Sequence, residues 1–504
     1  CGFVYVTPRA VGEPLGNTVE YQGEQIVITR STTLKAVSLP DAPPPPEPGT
    51  EPTTEPVTEP VSGPVEIRWY VGLGTGSPSN VVGAEQALVA EFNAAHDDIE
   101  LVLEVDTSST ALDTLIARVE AGEGPDIIGP IGRVGNNSFN GMWLDLTPYI
   151  DDSGFDLGQY DYQGLVNLYN TEDGQIGLPF QVYPSAVFYM PALFDAAGLN
   201  YPPAEYGQPY VWPDGTQVEW NWETFTELAR RLTLDDRGKN ALSASFDASR
   251  IVQYGFHPAY FDYPEFIGVY HGTPSYYTGN SGDYQSAIPD AWKSAWVWYY
   301  DGIWGDQPFI PNATVAGSPE FGSNNTFGSG RIAMVVCPSW YLTSMGDLAD
   351  AGYEFQFGAI PASDDGQVHG FVGQNAFHIF ENTEHPQEAF EVLVYLSGPI
   401  GSETLFDGGA GRIPVLTGFS ALPEYRQASV DVMADEYPFV TTWDTLLAGL
   451  EYQEIPSLDG YMPNSEEGRL RLEDFGDMLA ERDGLDITAV IASLEEDLTE
   501  IFNR

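Results

Sequence analysis

Groups able to do acid–base chemistry are abundant in this chain but show no pattern. Its 504 residues include 74 acidic side chains, so any pairing of two carboxylates as the general acid and nucleophile of a glycoside hydrolase is arbitrary. Histidines 96, 257, 271, 369, 378 and 385 form no metal-ligand spacing. The sequence holds neither a Gly-x-Ser-x-Gly elbow nor a phosphate loop. Asp235-Asp236-Arg237-Gly238 and Asp364-Asp365-Gly366 read as turns without the spaced oxygen ligands of a calcium loop. The expectation is therefore no catalytic residue, no metal and no cofactor. Aromatic rings are the other chemical resource, with 17 between Val252 and Pro311. Beside Asp, Glu, Asn, Gln or Arg, such rings stack on apolar C–H faces while the planar polar groups satisfy hydroxyls. Trp292, Trp296, Tyr299 and Tyr300 fall at helical spacing and are assigned to packing instead.

The elements that must position these groups lie in a strongly acidic chain, with a formal charge of −55. Sixteen arginines and three lysines (Lys35, Lys239 and Lys293) are scattered singly. No basic patch exists to neutralise phosphates, which excludes nucleic acid and anionic lipid as partners of this surface. Cys337 sits in the apolar run Ile332–Cys337 and reads as a small buried hydrophobe.

Ten prolines between Pro40 and Pro64, with Thr-Glu-Pro at 50–52, 54–56 and 58–60, mark an extended polyproline linker. At roughly 3.1 Å per residue it would reach on the order of 75 Å. Residues 1–39 contain two short strand patterns, Val19–Gln22 and Glu24–Thr29, split at Gly23. From Val65 the pattern becomes globular: a strand Val65–Val71, a helix Val82–His96, a strand Ile99–Val105, a helix carrying Leu112, Leu115, Ile116 and Val119, then a short strand at Asp126-Ile127-Ile128. Strands alternating with helices predict a mostly parallel sheet with ligand loops at strand C-termini.

Eight motifs occur in a telling order: Gly124-Pro125-Asp126-Ile127-Ile128, Ile176-Gly177-Leu178-Pro179 with Leu193–Leu199, Trp222-Glu223-Thr224-Phe225, Gly330–Val335 with Ser339-Trp340, Phe357-Gly358-x-x-Pro361, Phe371-Val372-Gly373, His385–Phe390, and Gly408-Gly409-x-Gly411-Arg412-Ile413-Pro414. Together they resemble the extracellular solute-binding proteins of ABC importers, in the sugar-binding class that includes the maltose-binding protein. The resemblance runs from about Val65 to the C-terminus. It implies an α/β fold of the periplasmic-binding-protein type II kind, with two lobes, a hinge and an interlobe cleft, preceded here by a strand-rich arm and a Pro-rich linker. The boundaries it suggests are 1–39 for the arm, 40–64 for the linker, 65–178 and 372–414 for lobe 1, 179–371 for lobe 2, and 415–504 for helices shared between them.

The same resemblance implies capture of a carbohydrate by lobe closure and delivery to an ABC permease. It places Trp340 and Trp443 as stacking rings, Tyr260 and His257 in a ligand loop where the family has Glu-Pro-Tyr-Phe, and Arg133 in the loop after Asp126. Gly74, Thr75, Gln181, Tyr183, Gly373, Gln374 and Arg412 complete the expected rim. Cys1, at the head of Cys-Gly, resembles the lipid-modified cysteine of a bacterial lipoprotein, which implies a surface protein anchored at that residue. The alternative reading is a surface or filament-forming structural protein on the same scaffold, assembled as a homo-oligomer through residues 1–39.

Overall fold

The computed structural model describes residues 18–22, 25–29 and 63–504, apart from 74–78, 107–109, 260–262, 324, 347, 349–350 and 408–417. Cys1, the proline tract up to Ser62, Gly74, Thr75, Tyr260 and Arg412 lie outside the described residues. The chain divides into two compact units, Cys1–Ser62 and Gly63–Arg504.

The first unit contains an antiparallel pair, Thr18–Gln22 with Gln25–Thr29. Its register sets Val19 opposite Ile28 and Tyr21 opposite Ile26.

The second unit is organised by one 12-residue strand, Leu178–Tyr189, buried along its whole length. Its first half pairs with Val372–Ile379, beyond which come Ile127–Ile131, Val65–Val71 and Ile99–Val105. Its second half pairs with Ile332–Pro338, beyond which come Ile251–Phe256 and the edge pair Leu234–Asp235. The exchange falls between Pro184, opposite Val372, and Ser185, opposite Pro338. One strand thus belongs to two half-sheets, and each half-sheet is the centre of an α/β lobe. Pairing is parallel at Val65–Val71 with its two neighbours and at Ile251–Phe256 with Ile332–Pro338. It is antiparallel wherever the chain passes between the lobes, so the sheet is mixed, because each return crossing runs against the first.

Each lobe packs both faces of its half-sheet. In the first, Trp69 and Tyr70 enter separate cores on opposite faces. In the second, Met334 and Val336 face one core and Val335 and Cys337 the other. Cys337 is fully buried and burial raises its thiol pKa, as its apolar run requires. The helix Asp290–Trp304 buries Trp292, Trp296, Tyr299 and Tyr300, each ring removing apolar area worth roughly 2–3 kcal/mol. Its indole N–H groups are satisfied: Trp292 donates to the Gly272 carbonyl at 2.7 Å and Trp296 to that of Pro264 at 2.8 Å. Within 415–504, Phe419–Ser420 pairs with the long crossing strand. The terminal helices Ser465–Glu481 and Ile487–Phe502 join the second lobe's core, where Phe475 meets Trp296 at 4.8 Å.

The helix Ser79–Ala95 buries Leu88 and Phe92 as its periodicity predicts, and also buries Glu85, whose two oxygens have no partner. Burial pushes this carboxyl from 4.5 up to about 8. The native state therefore holds a proton that the unfolded chain releases, and the group's contribution to stability falls as pH rises from 4.5 to 8. At 1.36 kcal/mol per pKa unit the loss is on the order of 3 kcal/mol at neutral pH. In urea titrations at pH 4.5 and 7.5, Glu85→Leu should remove this part of the slope; a variant with the wild-type slope would contradict it.

Candidate functional site

Arg133 opens a short helix just past the C-terminal end of Ile127–Ile131 in the first lobe, and Trp340 follows the C-terminal end of Ile332–Pro338 in the second. Loops at strand C-termini are where open α/β sheets carry ligands. The lobe junction brings the two loops to one place. The Arg133 guanidinium reaches across to Glu265 of the helix Pro264–Gly268, Nη2 lying 2.9 Å from Oε1, and donates through Nη1 to the Tyr276 hydroxyl at 3.3 Å. Phe266, the next residue along, meets Trp340 with ring centroids 5.9 Å apart. Tyr183 and Phe371 complete the ring cluster around Trp340 at 5.5 and 5.7 Å.

Gly373 lies directly under the indole, and a Cβ there would stand 2.2 Å from Trp340 Cζ3. The absence of a side chain at 373 is what lets the ring seat against the crossing strand. Gly373→Val should therefore eject Trp340, read as a red shift of tryptophan emission and a loss of solute affinity; unchanged emission would contradict the contact.

The polar half of the site comes from the same crossing strands. Asn375 donates to Gln181 Oε1 at 3.2 Å, and the Gln374 backbone N–H donates to Asp459 Oδ2 at 3.1 Å. The Gln374 side-chain oxygen and nitrogen, and Glu265 Oε2, are buried with no partner. Buried polar atoms are ordinarily paired, so each such atom here calls for an external donor or acceptor. Burial drives the Asp459 carboxyl up to about 6, against the opposing pull of Arg133 and the Gln374 N–H.

Of the expected rim, the junction thus gathers Arg133, Trp340, Tyr183, Gln181, Gly373 and Gln374. Two expected contacts sit elsewhere. Trp443 is buried in the second lobe's core, 5.2 Å from Phe357, because the helix it starts lies against the strand Gln356–Gly358. His257 is turned inward, its Nδ1 2.9 Å from Thr326 Oγ1, and burial lowers the imidazole to about 3, so it is neutral. Residues not foreseen are Glu265, Phe266, Tyr276, Phe371, Asn375 and Asp459. Phe266 and Tyr276 belong to the aromatic-rich run, whereas nothing in the sequence separates Glu265 or Asp459 from the other acids.

A larger groove, about 990 Å³, opens on the second lobe beside Trp222, His271, Trp298 and Asp364. It holds none of the expected residues, and its indoles are already bonded, Trp222 to the Tyr270 carbonyl and Trp298 to Thr226 Oγ1. The groove also holds unpartnered atoms, Arg230 Nε and His271 Nε2; what sets the junction apart is that it joins the ends of strands from both lobes.

A search of curated proteins found no match. Among solved structures, UspC from M. tuberculosis is 21% identical and covers 87% of this chain and 100% of its own, with a TM-score of 0.62. The sugar-binding protein MalE from the phytopathogen Xanthomonas citri is 15% identical over 87% of this chain and 97% of that one, with a TM-score of 0.62. The cyclic alpha-maltosyl-1,6-maltose binding protein from Arthrobacter globiformis is 15% identical over 88% and 100%, with a TM-score of 0.61. At these identities the likeness establishes the fold, two α/β lobes joined by crossing strands. The family model of bacterial extracellular solute-binding proteins matches residues 87–434, the greater part of the sequence, and the chain belongs to that family.

Proposed function

We propose that the protein captures a carbohydrate between its lobes, outside the cell, and delivers it to an ABC permease. The observation that carries this reading is the pairing, at one lobe junction, of the Trp340 ring cluster with the unpartnered Gln374 amide and Glu265 Oε2. A sugar offers C–H faces that stack on aromatic rings and hydroxyls that donate and accept. The solved relatives named for sugar binding support the same class of ligand. In this reading residues 65–178 and 372–414 form one jaw and 179–371 the other, and the strand exchange at Pro184 and Ser185 is the hinge. We assign no catalytic step, because the matching family is one of solute-binding proteins. Titration calorimetry with mono- and oligosaccharides tests the reading. It requires saturable heat from at least one sugar, and a panel with none would overturn it.

A further inference from the structure

A strap of chain, Gly449–Asp459, lies along the strand exchange at Pro184 and Ser185. At its start the backbone sits on the exchange itself: a Cβ added at Gly449 would stand 2.6 Å from the Ser185 carbonyl oxygen and 3.5 Å from Pro184 Cβ. At its end Asp459 accepts the Gln374 N–H of the first half-sheet at 3.1 Å. Between these points the second lobe holds the strap at Tyr452–Glu454. Gly370 donates to the Tyr452 carbonyl at 2.8 Å and accepts from the Glu454 N–H at 3.1 Å. The Tyr452 ring stacks on Tyr206, with centroids 4.2 Å apart.

The Glu454 side chain completes this attachment through a histidine. Its Oε2 accepts from the Thr273 hydroxyl at 2.6 Å, and its Oε1 lies 2.5 Å from His369 Nδ1. The other ring nitrogen, Nε2, lies 3.0 Å from Asp365 Oδ2. A neutral imidazole has one N–H and one lone pair, so between two carboxylates one of its nitrogens would turn a lone pair toward an oxygen. Only the imidazolium donates to both. Burial of the ring pulls its pKa down, but the bonds and charges of Glu454 and Asp365 outweigh this and hold it above the ordinary 6.5. Of the other groups facing it, His271 is neutral, pushed down to about 3 by burial and by His369 itself. The groove beside them carries Glu223, Glu227, Asp290 and Asp364 against Arg230, a balance that also favours the cation.

We propose that His369 is a proton-operated latch on this strap: the imidazolium pins residues 452–454 to the second lobe, and loss of its proton lets them go. A group whose pKa is raised in the folded state adds stability that is complete below the unfolded value and lost as pH rises through the folded one. The strap is therefore tight below pH 6.5 and slackens as His369 titrates above it. Asp365, half exposed at the edge of the groove, gives the proton a way to solvent. The latch needs no bound solute, so it stands or falls apart from carbohydrate capture.

Hydrogen exchange on the full chain without sugar, at pH 6.0 and 8.5 with rates corrected for intrinsic exchange, tests it. Over this range the protection of the Glu454 and Gly370 amides should fall by at least about threefold more than that of the strand Ile332–Pro338. His369→Gln should show the weaker strap protection at both pH values. Glu454→Gln should lower the His369 pKa, read from its ring proton resonances. Strap protection that follows the reference strand, a wild-type His369 that titrates at or below 6.5, or a folded His369→Gln protein that keeps the wild-type pH dependence overturns the latch.

Discussion

Arg133→Met should cost about 3–5 kcal/mol of folding stability at pH 7.5, because it leaves two carboxylates buried without their cation. The guanidinium is the bridge between the lobes: it is bonded to Glu265 and Tyr276 of the second lobe from a loop of the first. Removing it takes away the charge that opposes burial at Asp459, so that carboxyl rises further above its unfolded value of 3.8. The part of the penalty carried by Asp459 is full above its raised value and shrinks as pH falls from there toward the unfolded value of 3.8. Urea unfolding at pH 7.5 and 4.5 measures both arms. A destabilisation below about 1 kcal/mol at pH 7.5 is the range of a surface pair and would remove Arg133 from the centre of the account.

Trp340→Ala should weaken solute binding by about 1–3 kcal/mol, roughly 5- to 150-fold, as expected for losing a stacking ring at the centre of a site. The ring is partly exposed and packs on Tyr183, Phe266 and Phe371. Trp340→Phe should recover part of the loss by keeping an aromatic face. Calorimetry on both variants separates stacking from general damage: equal losses in the two would point to damage, and no loss in either would move the ligand away from this ring.

The parts of the fold visible in the sequence are those set by local pattern. The helix at Ser79–Ala95, the strand Ile99–Val105 and the packed face of Asp290–Trp304 follow from periodicity alone. Arg133 and Trp340 were named by the resemblance, and the structure sets each just past a strand of a different lobe. Glu265 and Asp459 were not, since among 74 acidic residues only tertiary burial distinguishes them. His257 and Trp443 show the converse. Each occupies a position that resembles a ligand contact along the chain, yet backbone direction turns both into the second lobe's interior. The mixed sheet was equally hidden, because strand direction at the crossings depends on which lobe the chain re-enters and not on the strand's own residues.

The central claim is that one solute is held by both lobes at once, and hydrogen exchange with and without a bound sugar tests it most directly. Amides of residues 127–138 in the first lobe and 332–345 in the second should gain protection together, at the same sugar concentration. Protection confined to one lobe, or appearing instead along 222–232 and 364–369 beside the large groove, would contradict it.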